Sequence, residues 1–167
     1  MEDVFEFAMK MEEDGKAYYE DMANKTTVPA LKKILNGLAD DEARHYKIFK
    51  SLKEQHADEL AQLETQSTTI LSTAKNVFEQ LSHENTTPDT KAEVVKVWKN
   101  AQDVEKKSED LYREKAEIVE DAKGKEMLHK IADEEHKHWA LIESVLKFLD
   151  RPNHWLEDAE WNHLEEY

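Results

Sequence analysis

The sequence predicts an all-α protein: a four-helix bundle of two antiparallel helix hairpins, with a long helical crossover between them and a short C-terminal helix. Its 167 residues include only 3 Gly and 3 Pro, and 37% are charged, a composition typical of long helices rather than of sheets. Four long segments carry apolar residues every three or four positions, which predicts helices with one buried face. Short joints link the first two and the last two segments, so a bundle of two hairpins is the natural closure.

The first hairpin is predicted to comprise residues 3–24 and 30–60. The stretch NKTTVPA separates the two helices, and Pro29 suits the first turn of the second. We call the predicted inward face of each helix its seam. The two seams are Phe5, Ala8, Glu12, Gly15, Tyr19 and Met22, then Leu31, Leu35, Leu38, Glu42, His45, Phe49 and Leu52.

The crossover and the second hairpin follow. The polar joint ETQSTT leads into a shorter helix over residues 69–82, and SHENTTPDT is the clearest loop. A third long helix is predicted over about 91–121, and a fourth from after DAKGK to about residue 149, where DRPN stops it. Their seams are Val94, Trp98, Ala101, Glu105, Ser108, Tyr112 and Ala116, then Leu128, Ile131, Glu135, His138, Ile142, Val145 and Leu149.

The chain divides into a bundle over residues 1–150 and a tail over 151–167. The tail is expected to form a short helix with Trp155, Ala159 and Leu164 directed inward. It would pack on the bundle or on a partner chain, and a homodimer is the expected assembly.

Charge and cysteine content narrow the classes of function. The net charge of -15 disfavours binding to nucleic acid or to anionic membranes. The absence of cysteine excludes disulfides, thiolate metal sites and a catalytic thiol from this sequence. No signal peptide or membrane-spanning stretch is evident, so we expect a cytoplasmic protein.

An internal repeat relates the two hairpins. Glu12 and Glu105 are 93 residues apart, as are Glu42 and Glu135, which suggests a pseudo-two-fold axis. The motif E-x-x-H occurs four times, at 42/45, 126/129, 135/138 and 160/163, so it means little alone. Only the pairs beginning at residues 42 and 135 lie on seams, because Glu126 falls on the opposite helix face and the last pair lies in the tail.

The seam carboxylates need compensation. A buried, unpaired carboxylate costs several kcal/mol, and no seam Lys or Arg lies at their level. Two divalent cations would balance four carboxylates, and two imidazoles would complete the ligand set. We therefore predict a two-metal site formed by six residues: Glu12, Glu42, His45, Glu105, Glu135 and His138. Oxygen and nitrogen ligands favour iron or manganese, with zinc as a further alternative. The competing interpretation is that these residues are ordinary surface charges and do not lie on a buried helix face.

Over residues 1–150 the sequence resembles the rubrerythrin branch of the ferritin-like superfamily. The stretches that carry the resemblance are MEEDGKAYYEDMA, LADDEARH, VEKKSEDLY and IADEEHKH. Ferritin-like two-metal proteins use one Glu from each of two helices and Glu-x-x-His from the other two. The resemblance implies a non-haem centre of two iron ions that reduces hydrogen peroxide, reacts with dioxygen or oxidises ferrous iron.

Two departures from the family pattern bear on activity. Many rubrerythrins carry a rubredoxin-type domain with a four-cysteine iron site that delivers electrons, whereas this chain has no cysteine. An external electron donor is therefore expected. Many also carry an extra Glu three residues after the third-helix ligand, and Ser108 stands there, which weakens a peroxidase assignment.

Four further residues lie beside the predicted ligands. Tyr19 and Tyr112 are the candidate catalytic residues, because either could hydrogen-bond a ligand carboxylate or quench an oxidising equivalent; ordinary core tyrosines are the alternative. Asp41 and Glu134 precede the ligand glutamates, and each could accept a hydrogen bond from the imidazole of the opposite half. A solvated surface position is the alternative for these two acids.

The leading interpretation is an oxidoreductase with two iron ions that acts on peroxide or oxygen in oxidative-stress defence. Iron handling by ferrous oxidation, a non-redox metal-binding bundle, and an oxidase of an organic substrate are the alternatives. The last of these needs an apolar pocket beside the metals.

Overall fold

The computed structural model describes residues 3–84, 91–150 and Leu164. The described residues form six helices and no strand, which confirms the all-α prediction. The helices are α1 (Val4–Lys25), α2 (Pro29–Glu54), α3 (Ala57–Glu64), α4 (Ile70–Glu84), α5 (Ala92–Ile118) and α6 (Ala122–Asp150). None of these helices is long and apolar enough to cross a membrane.

The four long helices pair as two hairpins. The most extensive helix contacts join α1 to α2 and α5 to α6, as the short connections predicted. Asp3 caps α1 by accepting hydrogen bonds from the backbone amides of Phe5 and Glu6 at 2.8 and 3.1 Å. Pro29 occupies the first turn of α2, where its missing amide proton is not needed.

The second helix is shorter than predicted. It ends at Glu54, because Gln55 adopts the left-handed conformation with φ 58° and ψ 39°. The carbonyl of Ser51 accepts hydrogen bonds from the amides of Gln55 and, at 2.9 Å, of His56, an ending usually made with glycine. Residues predicted to continue the helix form α3 instead, which buries Leu60 and Leu63.

The fourth long helix begins earlier than predicted. Asp121 caps it by accepting a hydrogen bond of 2.7 Å from the amide of Gly124, so this glycine lies inside the first turn. A β-carbon on Gly124 would lie 2.7 Å from Cζ of Phe5. The glycine therefore allows α1 to pack closely against the start of α6, rather than breaking the helix.

The crossover covers one side of the bundle. Helix α4 packs against α2 and α6, and its buried residues join a core cluster with Leu38, Ala101 and Ile142. A second cluster contains Phe49, Tyr112 and other residues nearer the opposite end. Along α2 and α5 the predicted metal ligands lie between these two apolar clusters.

The tail lies largely outside the described residues. Trp155 and Ala159, which were predicted to face inward, belong to that part, as does the predicted C-terminal helix. Leu164 is described, and its side chain is buried in the core cluster that contains α4.

Candidate metal centre

All six predicted ligands are buried in the middle of the bundle, with side chains from each of the four long helices. None of these residues is more than 4% exposed. They are Glu12 on α1, Glu42 and His45 on α2, Glu105 on α5, and Glu135 and His138 on α6. The Glu and His residues that interrupt the apolar seams are therefore buried, so the interpretation that they are exposed surface charges is wrong.

These side chains form two groups that share two members. The ligand atoms of each group lie within 4.8 Å of one another, and the groups are Glu12, Glu42, His45 and Glu135, and Glu42, Glu105, Glu135 and His138. Because Glu42 and Glu135 belong to both groups, their carboxylates lie between the two positions. Each group offers one imidazole and three carboxylates, and the shared carboxylates can bridge two ions.

The histidines face the carboxylates through the same ring nitrogen. Nδ1 of His45 lies 2.9 Å from Oε1 of Glu135, and Nδ1 of His138 lies 3.2 Å from Oε1 of Glu42. The two imidazole rings are 5.9 Å apart and nearly parallel, at 19°. This arrangement follows the pseudo-two-fold relation between the hairpins.

Each of the six residues has a buried polar atom that receives no hydrogen bond within the described part of the chain. The atoms are Glu12 Oε2, Glu42 Oε1, His45 Nδ1, Glu105 Oε2, Glu135 Oε1 and His138 Nδ1. Buried polar atoms are nearly always paired, so six such atoms in one cluster need another partner. Oxygen and imidazole nitrogen atoms in this number suit iron, manganese or zinc, and the cluster is able to bind a metal.

The outer ring nitrogen of each histidine contacts a carboxylate of the opposite hairpin. Nε2 of His45 lies 2.6 Å from Oε2 of Glu134, and Nε2 of His138 lies 2.8 Å from Oδ2 of Asp41. The prediction for these two acids is thus confirmed. Burial alone would raise their pKa, but the hydrogen bonds and charges of the histidines lower the pKa of each acid to about 2.

Two residues near these acids were missed by the sequence analysis. Arg44 forms ion pairs with Glu134 and, at 3.5 Å, with Asp41. Thr68 precedes α4 and donates a hydroxyl hydrogen bond to Asp41, while its amide lies 3.4 Å from Glu134. Arg44 lies off the predicted seam, and Thr68 lies in a stretch that the sequence predicts only as a polar joint.

Tyr19 and Tyr112 hydrogen-bond carboxylates of the opposite hairpin. The Tyr112 hydroxyl donates to Oε1 of Glu12 at 2.6 Å, and the Tyr19 hydroxyl donates to Oε1 of Glu105. Burial, followed by the charges of these carboxylates, raises the pKa of both tyrosines well above 10. Both hydroxyls therefore stay protonated at neutral pH and act as donors.

The four inner carboxyl groups differ in proton affinity. Burial and repulsion by neighbouring carboxylates raise the pKa of Glu42 and Glu135 well above the ordinary value. Burial acts in the same direction on Glu12 and Glu105, but hydrogen bonds from carboxyl neighbours and the charges of the histidines lower their pKa.

In the two histidines, burial and the neighbouring charges act on the pKa in the opposite directions. Burial acts to lower the pKa of His45 and His138, but the nearby carboxylates, chiefly Glu12 and Glu105 respectively, raise it well above 6.5. The raised pKa values favour the protonated forms of the imidazoles and of the central carboxyl groups, and each such proton offsets buried negative charge. A metal ion must displace these protons to bind.

Comparison with known protein families agrees with this arrangement. The sequence model of the rubrerythrin family matches residues 3–146. The chain belongs to the rubrerythrin family. No curated protein and no solved structure shows a significant match to the chain. Membership of the rubrerythrin family implies a centre of two iron ions, and the buried Glu and His groups fit such a centre.

The rubrerythrin-like bundle has a cavity beside the cluster, between α1 and α5. Its volume is about 280 Å³, and Glu42, Glu105 and Glu135 line it together with apolar side chains. Gly15 and Ser108 also line it. A β-carbon on Gly15 would lie 3.0 Å from Oε2 of Glu42, so the glycine keeps space next to this carboxylate.

The other E-x-x-H pairs do not join the centre. Glu126 is exposed and pairs with Lys130 at 3.0 Å, while the side chain of His129 is 40% exposed. The pair at 160/163 lies outside the described residues. Glu109, which the sequence analysis did not single out, is buried but forms an ion pair with Arg113 at 3.1 Å and belongs to neither metal-binding group.

Proposed function

We propose that the protein is an oxidoreductase with two non-haem iron ions, which reduces hydrogen peroxide or reacts with dioxygen using electrons from an external donor. The observation that carries the proposal is the set of six buried ligand atoms without a hydrogen bond, grouped as two sites with two shared carboxylates. Oxidative-stress defence in the cytoplasm, and a homodimeric assembly, are further parts of this proposal.

The proposed ligand roles follow the two groups. Glu12 and His45 would bind one ion, Glu105 and His138 the other, and Glu42 and Glu135 would bridge them. Two ferrous ions held there would supply the two electrons needed to reduce an O–O bond. Alternatively, manganese or zinc could occupy the same ligands, and zinc would not supply electrons.

The proposed catalytic tyrosines act through the carboxylates. The hydroxyls of Tyr19 and Tyr112 donate to Glu105 and Glu12, which stabilises those carboxylates in their ionised, ligating form. Their position next to the ligands also supports a role in quenching an oxidising equivalent that escapes the centre. Asp41 and Glu134 contact Nε2 of the two imidazoles and would hold the rings in the orientation that leaves Nδ1 to bind a metal.

The test begins with anaerobic loading of the purified protein with Fe(II), measurement of metal per chain, and stopped-flow mixing with hydrogen peroxide or dioxygen. We expect about two irons per chain and faster oxidation by peroxide. The double variant Glu42→Ala, His45→Ala should lose both properties. The matched control is Glu126→Ala, His129→Ala, which removes a motif of the same spacing from the exposed face and should retain them.

Other results would redirect the assignment. Many irons per chain in a large assembly would indicate iron handling. Two ions that neither peroxide nor dioxygen oxidises would indicate a non-redox metal-binding bundle. Absence of bound metal after anaerobic loading would contradict the proposal altogether.

A further inference from the structure

The centre is closed on one side and open on the other. On the side of α2 and α6, the crossover packs over the helices, and Thr68 binds the acid partner of His138. On the side of α1 and α5, which make few contacts with each other, the cavity of about 280 Å³ reaches the carboxylates of Glu42 and Glu135. A small molecule in this cavity would therefore lie next to the bridging carboxylates.

The cavity has a polar floor and a partly apolar wall. Carboxylates that belong to both metal-binding groups form the floor. Met11, Ala101 and Val104 contribute an apolar part of the wall, beside the polar side chains of Asp14, Tyr18 and Ser108. Met11 and Val104 are 93 residues apart, as are Gly15 and Ser108, so the cavity lies on the pseudo-two-fold axis. Val104 is 51% exposed and stands at the opening.

Hydrogen peroxide is polar throughout and has no apolar group to place against Met11, Ala101 and Val104. A ligand that matches both surfaces has a polar reactive end and a small apolar group. Apolar cavities of about 150 Å³ bind benzene, so about 280 Å³ accommodates a phenyl ring with a few more heavy atoms.

We infer that this cavity binds small organic hydroperoxides, with the apolar group against Met11 and Val104 and the O–O group toward Glu42 and Glu135. The inference rests on the proposed function and adds a substrate class to it. Two ferrous ions held by the six ligands would supply the two electrons that ROOH accepts, and solvent would supply two protons. The O–O bond would break to give the alcohol ROH and water, and the external donor would restore the ferrous ions.

The first test measures binding without metal. Saturation-transfer NMR of 2-phenyl-2-propanol, the alcohol formed from cumene hydroperoxide, should show contact with the metal-free protein. Val104→Trp blocks the opening and Ser108→Leu fills the interior, so both should abolish the signal. Ile118→Trp is the matched control, because Ile118 lies on the same helix, is 63% exposed and does not line the cavity.

The second test compares single-turnover oxidation of the Fe(II)-loaded protein by cumene hydroperoxide and by hydrogen peroxide. The ratio of the two rate constants should fall at least tenfold in Val104→Trp and Ser108→Leu and should stay unchanged in Ile118→Trp. Circular dichroism spectra and melting curves of each variant establish that it is folded before the ratio is compared.

The outcomes separate the two proposals. Oxidation by hydrogen peroxide without binding of the alcohol, or an unchanged ratio in both folded cavity variants, would overturn this inference and leave the proposed function standing. Binding of the alcohol without oxidation by either peroxide would overturn hydroperoxide reduction, and failure of dioxygen to oxidise the ions as well would overturn the proposed function with it.

Discussion

Glu134 on α6 lies 2.6 Å from Nε2 of His45 on α2, so the carboxylate that orients one histidine belongs to the opposite helix hairpin. Asp41 and His138 repeat this relationship in the other direction at 2.8 Å. Neither hairpin therefore contains a complete half of the centre. Docking of the hairpins brings together the ligands and also the groups that position them.

Removing an outer carboxylate should weaken metal binding without removing a ligand. In Glu134→Gln and Asp41→Asn, the histidine loses its ionised partner, and metal affinity should fall about 10- to 100-fold. Competition with a chromophoric chelator measures the affinity. The matched control is Asp40→Asn, which changes the exposed neighbour of Asp41; equal losses in control and test variants would contradict the assigned role.

The stability of the metal-free protein should peak at mildly acidic pH. Asp41 and Glu134 have a folded-state pKa of about 2, below ordinary values of 3.8 and 4.5, so their stabilisation is lost as pH falls from about 4.5 towards 2. On this basis Asp41 contributes about 2 kcal/mol and Glu134 about 3 kcal/mol to the free energy of unfolding. The histidines have pKa values raised above 6.5, so their contribution is complete below that pH and is lost as pH rises through the raised value.

Urea unfolding of metal-free protein at a series of pH values measures this profile. In the double variant Asp41→Asn, Glu134→Gln, the free energy of unfolding should fall less steeply as the pH is lowered below about 4.5. A midpoint that stays constant between pH 3 and pH 9 would show that the buried ionisable network does not contribute to stability in the way described.

Replacing Tyr112 by Phe should destabilise the fold while metal stoichiometry is retained. The variant removes the 2.6 Å hydrogen bond to Glu12, and loss of a buried bond to a charged acceptor costs about 1–3 kcal/mol. Tyr18→Phe is the control, since that exposed hydroxyl donates to the carbonyl of Val97 at 3.0 Å. Its removal should change the free energy of unfolding by about 0.5 kcal/mol or less. Equal stabilities of the two variants by urea unfolding would refute the expectation.

Gln55→Gly should stabilise the protein. Gln55 holds a left-handed conformation, φ 58°, which costs a residue with a β-carbon about 1–2 kcal/mol. Glycine removes this cost but makes the unfolded chain more flexible. The net gain should be about 0.5–1 kcal/mol, or about 1–4 °C in melting temperature. Gln55→Ala retains the strain, and a similar rise in that variant would rule out the conformational explanation.

The ligand candidates could be predicted because each occupies a seam position that would otherwise hold an apolar residue. Glu42 and His45 interrupt the apolar face of one helix, and the repeat at an offset of 93 identifies their counterparts. The hairpin pairing followed from joint lengths alone. These features are local or periodic, so a single sequence contains them.

The remaining features depend on how separate elements meet. Arg44 lies off the seam and acquires its role only when α6 brings Glu134 next to it. Thr68 reaches Asp41 because the crossover packs against α2 and α6. The end of α2 was missed because Gln55 adopts a conformation that glycine usually signals, and the cavity depends on the spacing between α1 and α5.

Arg44 also makes the two halves of the centre unequal. Arg44 contacts the same Glu134 oxygen that contacts His45, whereas it reaches Asp41 only at 3.5 Å. The Asp41 oxygen that contacts His138 accepts from the Thr68 hydroxyl instead. The position 93 residues after Arg44 is Lys137, so the repeated sequence does not restore the symmetry. Two ions bound in mirrored ligand sets would thus differ in ligand field, and Mössbauer spectra of the iron-loaded protein would resolve two quadrupole doublets of equal area.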